Sequence, residues 1–197
     1  MNLLSTTSTK IYLPKTDFGN LSSIIFFLNH LGFTTEILPI NDLYLLQSEY
    51  ILIPGNGNWC SYYHSGLVHY LKYNTSNRYI GICGGMQIMF ASSEENPELP
   101  GSSRYLNPVL KLSGLTPNLG FREIAGKSLY FANSYGTIFD EAKYPIPNCI
   151  NIDTYKSGDN PYIASIVTSN LVGFQYHPEV SKTDGFDVFL NLTQHWF

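Results

Sequence analysis

The chain has 197 residues, 44% of them apolar and 13% charged, with a formal net charge of −4. This length and balance fit one folded domain with a full core, spanning 1–197. The mild acidity, with no clustered Lys and Arg, excludes a general nucleic-acid binder.

No apolar run reaches the roughly 18 residues of a membrane span. The opening MNLLSTTSTK lacks the basic head and apolar core of a secretory signal, so residues 1–9 are expected to be a frayed lead-in. Cys60, Cys83 and Cys149 are sparse and irregularly spaced, which suits a reducing, cytoplasmic compartment better than a disulfide framework. Without C-x-x-C or H-x-x-x-H spacing, no metal site is expected.

In chain order, Lys10–Leu13 reads as a first strand ending at Pro14. Leu21, Ile24, Ile25, Leu28 and Leu31 then recur at helical spacing after Asn20, closed by Gly32. Phe33–Leu38 and Tyr50–Ile53 read as strands, the second running into the Pro54-Gly55-Asn56-Gly57 turn. Gly66–Tyr73 reads as a helix and Tyr79–Ile82 as a fourth strand, with an apolar helical pattern beginning at Met86. Strands alternating with helices imply a mostly parallel α/β sheet covered on both faces. Ligands bind such sheets beyond the carboxyl ends of the strands, where both glycine-rich turns fall. In the second half, Val109–Leu112, Phe121–Ile124, Leu129–Ala132, Ile150–Asp153, Ile163–Val167 and Leu171–Tyr176 are strand-like and separated by turns. The first five are expected to extend the sheet with antiparallel strands, and Leu171–Tyr176 is a last strand running into His177, before a last helix over Phe186–Leu192.

The chemistry concentrates in YIGICGGMQIM, 79–89. Its G-x-C-x-G is the cysteine counterpart of a nucleophile elbow, a strained turn that lifts a reactive atom above a sheet. Small neighbours keep the turn tight and the sulfur open. The Gly84 N–H, following Cys83, is placed to meet an oxyanion, and the helix N-terminus favours thiolate. Free cysteines are more often inert packing groups, so a base and an orienting acid are needed. Of the five histidines, His30, His64, His69 and His195 read as surface residues. His177 ends a strand, and Glu179, two residues on, is placed to fix its tautomer. On spacing alone, a Cys83–His177–Glu179 triad and a structural histidine both remain open.

GICGGMQIMF with GFQYHPEV resembles the class I glutamine amidotransferases, whose triad is Cys, His, Glu in that order. Gly19-Asn20-Leu21 with Ser23, the IPGNG turn at 53–57, MQIMFASSEE at 86–95, TPNLGFREI at 116–124 and YFANSY at 130–135 are similar to the glutaminase subunit of imidazole glycerol phosphate synthase. The resemblance implies a flavodoxin-like α/β fold and hydrolysis of L-glutamine through a Cys83 thioester, with His177 and Glu179 completing the triad. It also implies oxyanion contacts from Gly84 and Asn56, and substrate contacts from Gly55, Gly57, Gln87, Glu95, Asn133, Ser134 and Tyr135, with Glu95 facing the substrate ammonium. It implies no cofactor, and a heterodimer with a (β/α)₈ synthase subunit facing the 16–23 and 116–124 segments. The chain departs from the family at Gly84 (for Leu), Asn56 (Val), Asn133 (His), Phe121 (Trp), Val180 (Lys) and Thr16-Asp17 (Tyr-Gly). Two alternatives stay open. One is a paralogue feeding ammonia to a sugar-amidating synthase for surface polysaccharide; the other is a catalytically silent binding subunit.

Overall fold

The computed structural model describes residues 8–55, 58–114, 116–194 and 196. The chain begins with β1 (Lys10–Pro14), α1 (Leu21–His30), β2 (Thr34–Leu38), α2 (Ile40–Leu43) and β3 (Tyr50–Ile53). Then come α3 (Trp59–His64), α4 (Leu67–Tyr73), β4 (Arg78–Ile82), α5 (Gly84–Gln87) and β5 (Phe90–Ser93). The second half holds β6 (Tyr105–Lys111), β7 (Asn118–Ile124), β8 (Lys127–Asn133), β9 (Tyr135–Thr137), β10 (Cys149–Ser157), β11 (Asn160–Thr168), β12 (Leu171–Phe174) and α6 (Lys182–Thr193).

A seven-stranded sheet in the order β10-β11-β12-β4-β3-β1-β2 forms the frame. Its strands β12, β4, β3, β1 and β2 are parallel, and β11 and β10 add the antiparallel extension. Alternation along β3 sends Leu52 into one apolar layer and Ile51 and Ile53 into the other. The first layer packs α1 and α6 against the sheet through Ile24, Phe27, Leu28 and Phe189; the second packs α3, α4 and α5 through Trp59, Leu67, Tyr70 and Met86. Helix α1 starts where the Asn20 side chain accepts the Ser23 N–H at 3.2 Å, and Ile24, Phe27 and Leu28 give it one buried face. The register pairs Ile53 with Gly81 and Ile82 with Phe174, so the carboxyl ends of β3, β4 and β12 lie along one edge.

Three expectations change. Residues 1–7 of the proposed lead-in lie outside the described residues, but Ser8 and Thr9 are not frayed. Ser8 Oγ donates to Gly32 O at 2.6 Å, and Thr9 O accepts the Thr34 N–H at 3.0 Å. The apolar pattern from Met86 is not a continuing helix: α5 is a single turn, and the chain is extended again at Phe90. The carbonyls that would have continued the helix are taken by the 101–105 segment. Ile88 O accepts from Ser102 N, Met89 O from Arg104 N, and Ala91 O from Gly101 N. Long-range pairing outcompetes local helix propensity here. Finally, the strands of the second half do not all join the main sheet. β5, β6 and β9 form a three-stranded sheet and β7–β8 a hairpin, leaving β10 and β11 as the extension. Helix α3 buries Trp59 and Tyr62, three residues apart, and its N-cap is the Asn58 side chain, which accepts the Cys60 N–H at 2.9 Å.

Candidate active site

Cys83 stands on the turn between β4 and α5 with φ 50 and ψ −114. A non-glycine residue there stores on the order of 1–3 kcal/mol of strain, and it persists because neighbouring bonds over-determine it. The Cys83 N–H donates to Phe174 O at 2.6 Å, and its carbonyl accepts from Met86 N at 3.0 Å and Gln87 N at 3.1 Å. The turn leaves no room for side chains beside it. A Cβ on Gly85 would land on the Ile53 carbonyl, and one on Gly81 would sit 2.7 Å from the Met86 main chain. The small residues of G-x-C-x-G are therefore dictated by the approach of α5 to β3 and β4. Cys83 is 8% exposed, and its thiol donates to Ala132 O at 3.9 Å. Gly84 opens α5, and the first N–H groups of a helix have no partner within it. Because α5 has one turn, the dipole expected behind the sulfur is small, and its charge depends on direct neighbours.

His177 follows β12 and is clamped to the β7–β8 hairpin. Its N–H donates to Tyr130 O at 2.8 Å, while Ser181 Oγ donates to His177 O at 2.7 Å and accepts from Tyr130 N at 2.9 Å. His177 Nδ1 lies 2.8 Å from Glu179 Oε1, with the carboxylate side chain only 4% exposed. Burial pulls the imidazole pKa down, but hydrogen bonds and charge interactions with Cys83 and Glu179 outweigh it and raise the pKa to about 10. These neighbours favour the protonated ring, in which Nδ1–H donates to Glu179. Gly55 closes this corner: a Cβ there would meet Cys83 Cβ and His177 Cε1, each at 3.2 Å. Glu179 Oε2 is buried without a hydrogen-bond partner among the described residues.

Two cavities meet at Cys83. The larger, about 450 Å³, is lined by Gly19, Asn20, Ile24, Gly55, Tyr130, Ala132, His177, Glu179 and Val180 as well as the cysteine. The smaller, about 270 Å³, is lined by Cys83 with Gln87, Glu95, Pro117, Leu119, Ala132, Asn133, Ser134 and Tyr135. Glu95 borders it with its pKa raised by burial, offset only by the Trp59 N–H that it accepts at 3.2 Å. A half-buried carboxylate with no cation beside it among the described residues favours a cationic ligand group.

The sequence-derived substrate positions divide between these spaces. Gln87, Glu95, Asn133, Ser134 and Tyr135 share the smaller cavity, whereas Gly55 belongs to the larger one. Asn56 and Gly57 lie outside the described residues. Two of the polar side chains have hydrogens already engaged. Gln87 Nε2 donates to Tyr135 O at 2.8 Å and to Gln175 Oε1 at 2.9 Å. Asn133 Nδ2 donates to Tyr135 O at 2.8 Å and Tyr155 Oη at 3.0 Å. Both shape the cavity wall through these bonds. Sequence reasoning missed Gln175, which is fully buried and donates from Nε2 to Cys83 Sγ at 3.7 Å. The available signal was a polar amide inside the apolar run LVGFQY, since buried polar groups are placed for their partners. Among the described residues, no group of three or more His, Cys, Asp or Glu is arranged to hold a metal, and no helix is long and apolar enough to cross a membrane.

A family model, glutamine amidotransferase class-I, matches residues 16–193. The imidazole glycerol phosphate synthase subunit HisH of Exiguobacterium sibiricum is 31% identical over 193 residues, covering 90% of this chain and 89% of that one. HisH of Yersinia pseudotuberculosis is 28% identical over 195 residues, covering 93% and 98%. Among solved structures, a crystal structure of a glutamine amidotransferase superposes with a TM-score of 0.64 at 14% identity, covering 93% of this chain and 98% of that one. PurLQS from Thermotoga maritima superposes at 0.61 with 16% identity, covering 96% and 100%. The structural likenesses establish the fold; the sequence matches, spanning most of the chain, establish the family.

Proposed function

Because the chain belongs to the class I glutamine amidotransferase family, we propose that it is the glutaminase subunit of an imidazole glycerol phosphate synthase. In this reading it hydrolyses L-glutamine at Cys83 and passes the ammonia to a (β/α)₈ synthase subunit in a cytoplasmic heterodimer. The observation that carries it is the convergence of a strained cysteine, a His–Glu pair and an unneutralised carboxylate on two joined cavities.

Glutamine enters the smaller cavity with its ammonium toward Glu95. The ammonium supplies the cation that the half-buried carboxylate favours, and the side-chain carboxamide reaches Cys83. The thiolate attacks the amide carbon, forming the C–S bond and moving the carbonyl π electrons onto oxygen. The Gly84 N–H stabilises that oxyanion, and Asn56 is the sequence-derived second donor. Such a donor is worth roughly a hundred- to thousand-fold in turnover. The His177 imidazolium then protonates the departing nitrogen as the C–N bond breaks, leaving a thioester and ammonia. His177, now neutral, takes a proton from water as it attacks the thioester; the C–S bond breaks and glutamate leaves. Glu179 holds the ring by its Nδ1–H throughout. Ammonia departs on the His177 side, through the larger cavity, whose lining includes Gly19, Asn20 and Val180. Gly19 and Asn20 belong to a segment that resembles a synthase-facing one.

A second reading keeps the chemistry and changes the acceptor to a sugar-amidating synthase. It is favoured by the exposed Phe121 and Val180, where the family has Trp and Lys. Ammonia release from glutamine, measured with the purified chain alone and with each type of synthase, tests both. Stimulation by the imidazole-forming synthase supports the first. Stimulation only by a sugar-modifying one supports the second. Release that is absent with every synthase contradicts the glutaminase reading.

A further inference from the structure

We infer that Gln175 is a positioning residue for the nucleophile, a buried amide whose N–H is aimed at Cys83 Sγ by a relay through Gln87. The inference rests on the reading of Cys83 as the nucleophile.

The direction of the amides follows from their partners. Tyr135 O is a main-chain carbonyl and accepts only, so the Gln87 atom 2.8 Å from it is the NH₂ nitrogen. The second hydrogen of that nitrogen points to the Gln175 side chain at 2.9 Å, which must present its oxygen. With Oε1 thus engaged, the NH₂ of Gln175 faces the sulfur at 3.7 Å. The main chain of Gln175 is pinned as well, its N–H donating to Ala164 O at 2.8 Å. The relay therefore runs from the cavity wall at Tyr135, through the last residue of α5, to the strand end that carries His177. A donor helps a thiolate and contributes little to a thiol. Ala132 O does the opposite, since a carbonyl oxygen at 3.9 Å accepts from a thiol and repels a thiolate. Gln175 offsets that carbonyl. The titratable groups around the sulfur are His177 with Glu179 after β12, Tyr155 on β10, which burial keeps neutral, and Glu95 across the smaller cavity. Among the described side chains that contact the sulfur, Gln175 supplies the donor whose charge does not change with pH.

The test is the pH profile of Cys83 alkylation by iodoacetamide in the full-length chain, followed by mass spectrometry of the Cys83 peptide. The Cys60 and Cys149 peptides serve as internal references. In Gln175→Met, which keeps the length and removes the amide, the midpoint for Cys83 should move to higher pH. The thiolate fraction below the midpoint should fall about tenfold, as expected for one lost bond to a charged group, with the reference cysteines unchanged. Gln87→Met, which frees the Gln175 amide to turn, should give a smaller move in the same direction, and it carries the test if Gln175→Met does not fold. An unmoved Cys83 midpoint in the folded variant overturns the inference. Alkylation needs no glutamine turnover, so this outcome is separable from any failure of the glutaminase reading.

Discussion

The two cavities that meet at Cys83 are built in different ways. The larger gathers residues at the carboxyl ends of parallel strands, Gly55 after β3, Cys83 after β4 and His177 after β12, with Tyr130 and Ala132 of β8 as part of its wall. The smaller is walled by the added sheets, with Glu95 following β5, Leu119 on β7, Asn133 on β8 and Tyr135 on β9. In the proposed mechanism the first holds the atoms that react, and the second the groups that recognise the substrate. A parallel sheet fixes strand ends to within the tolerance that bond-making needs, while the appended strands define a pocket whose wall is tuned by side-chain amides. Changes on the reactive side should therefore appear in kcat, and changes on the recognition side in KM.

The sharpest break is Cys83→Ala, which leaves both cavities and removes the nucleophile. A loss in kcat on the order of 10⁶-fold is expected with near-native circular dichroism. Rates within tenfold of wild type would remove Cys83 from the chemistry. Next is Glu179→Gln, also on the reactive side. It no longer holds an imidazolium, and kcat should fall about 10⁴-fold, by analogy with loss of an orienting acid, with KM little changed. A KM effect without a kcat effect would place Glu179 in recognition instead. Across the boundary, Glu95→Gln should invert that signature. Truncating one partner of a buried charge pair costs about 2 kcal/mol or more, so KM should rise roughly 30-fold with kcat nearly intact. Equal losses in both constants would blur the division between the cavities.

The smallest effect is on stability. The folded pKa of His177 is raised to about 10 from 6.5. As a single group, it therefore contributes stability that is fully present below 6.5 and lost as pH rises through about 10. The melting temperature of the wild type relative to His177→Gln should thus fall by a few degrees between about pH 8 and about pH 10. A flat difference would mean that the imidazolium is not held by its neighbours.

The same division governs what could be read from the chain beforehand. The reactive side is carried by contiguous runs, GICGG and QYHPE, whose steric and hydrogen-bonding demands are local. The elbow, its glycines and the strand that leads to His177 were visible for that reason. The recognition side depends on pairing between distant segments. Nothing local in MQIMFASSEE announces that Gly101, Ser102, Ser103 and Arg104 will capture the carbonyls of residues 88–91 and convert a helical pattern into β5. Nor does apolar periodicity reveal that β7 and β8 leave the main sheet as a hairpin to clamp His177 through Tyr130 and Ser181. Gln175 fell between the two: it sits in a legible motif, yet its role depends on Gln87, which is 88 residues away in the chain.

The most direct measurement is acid-quench mass spectrometry of the chain turning over L-glutamine in the presence of its synthase. A single glutamyl group attached through sulfur to Cys83, appearing and decaying within the turnover time and absent from Cys83→Ala, is the predicted result. Steady glutamine hydrolysis with no adduct on Cys83, undiminished in Cys83→Ala, would contradict the account.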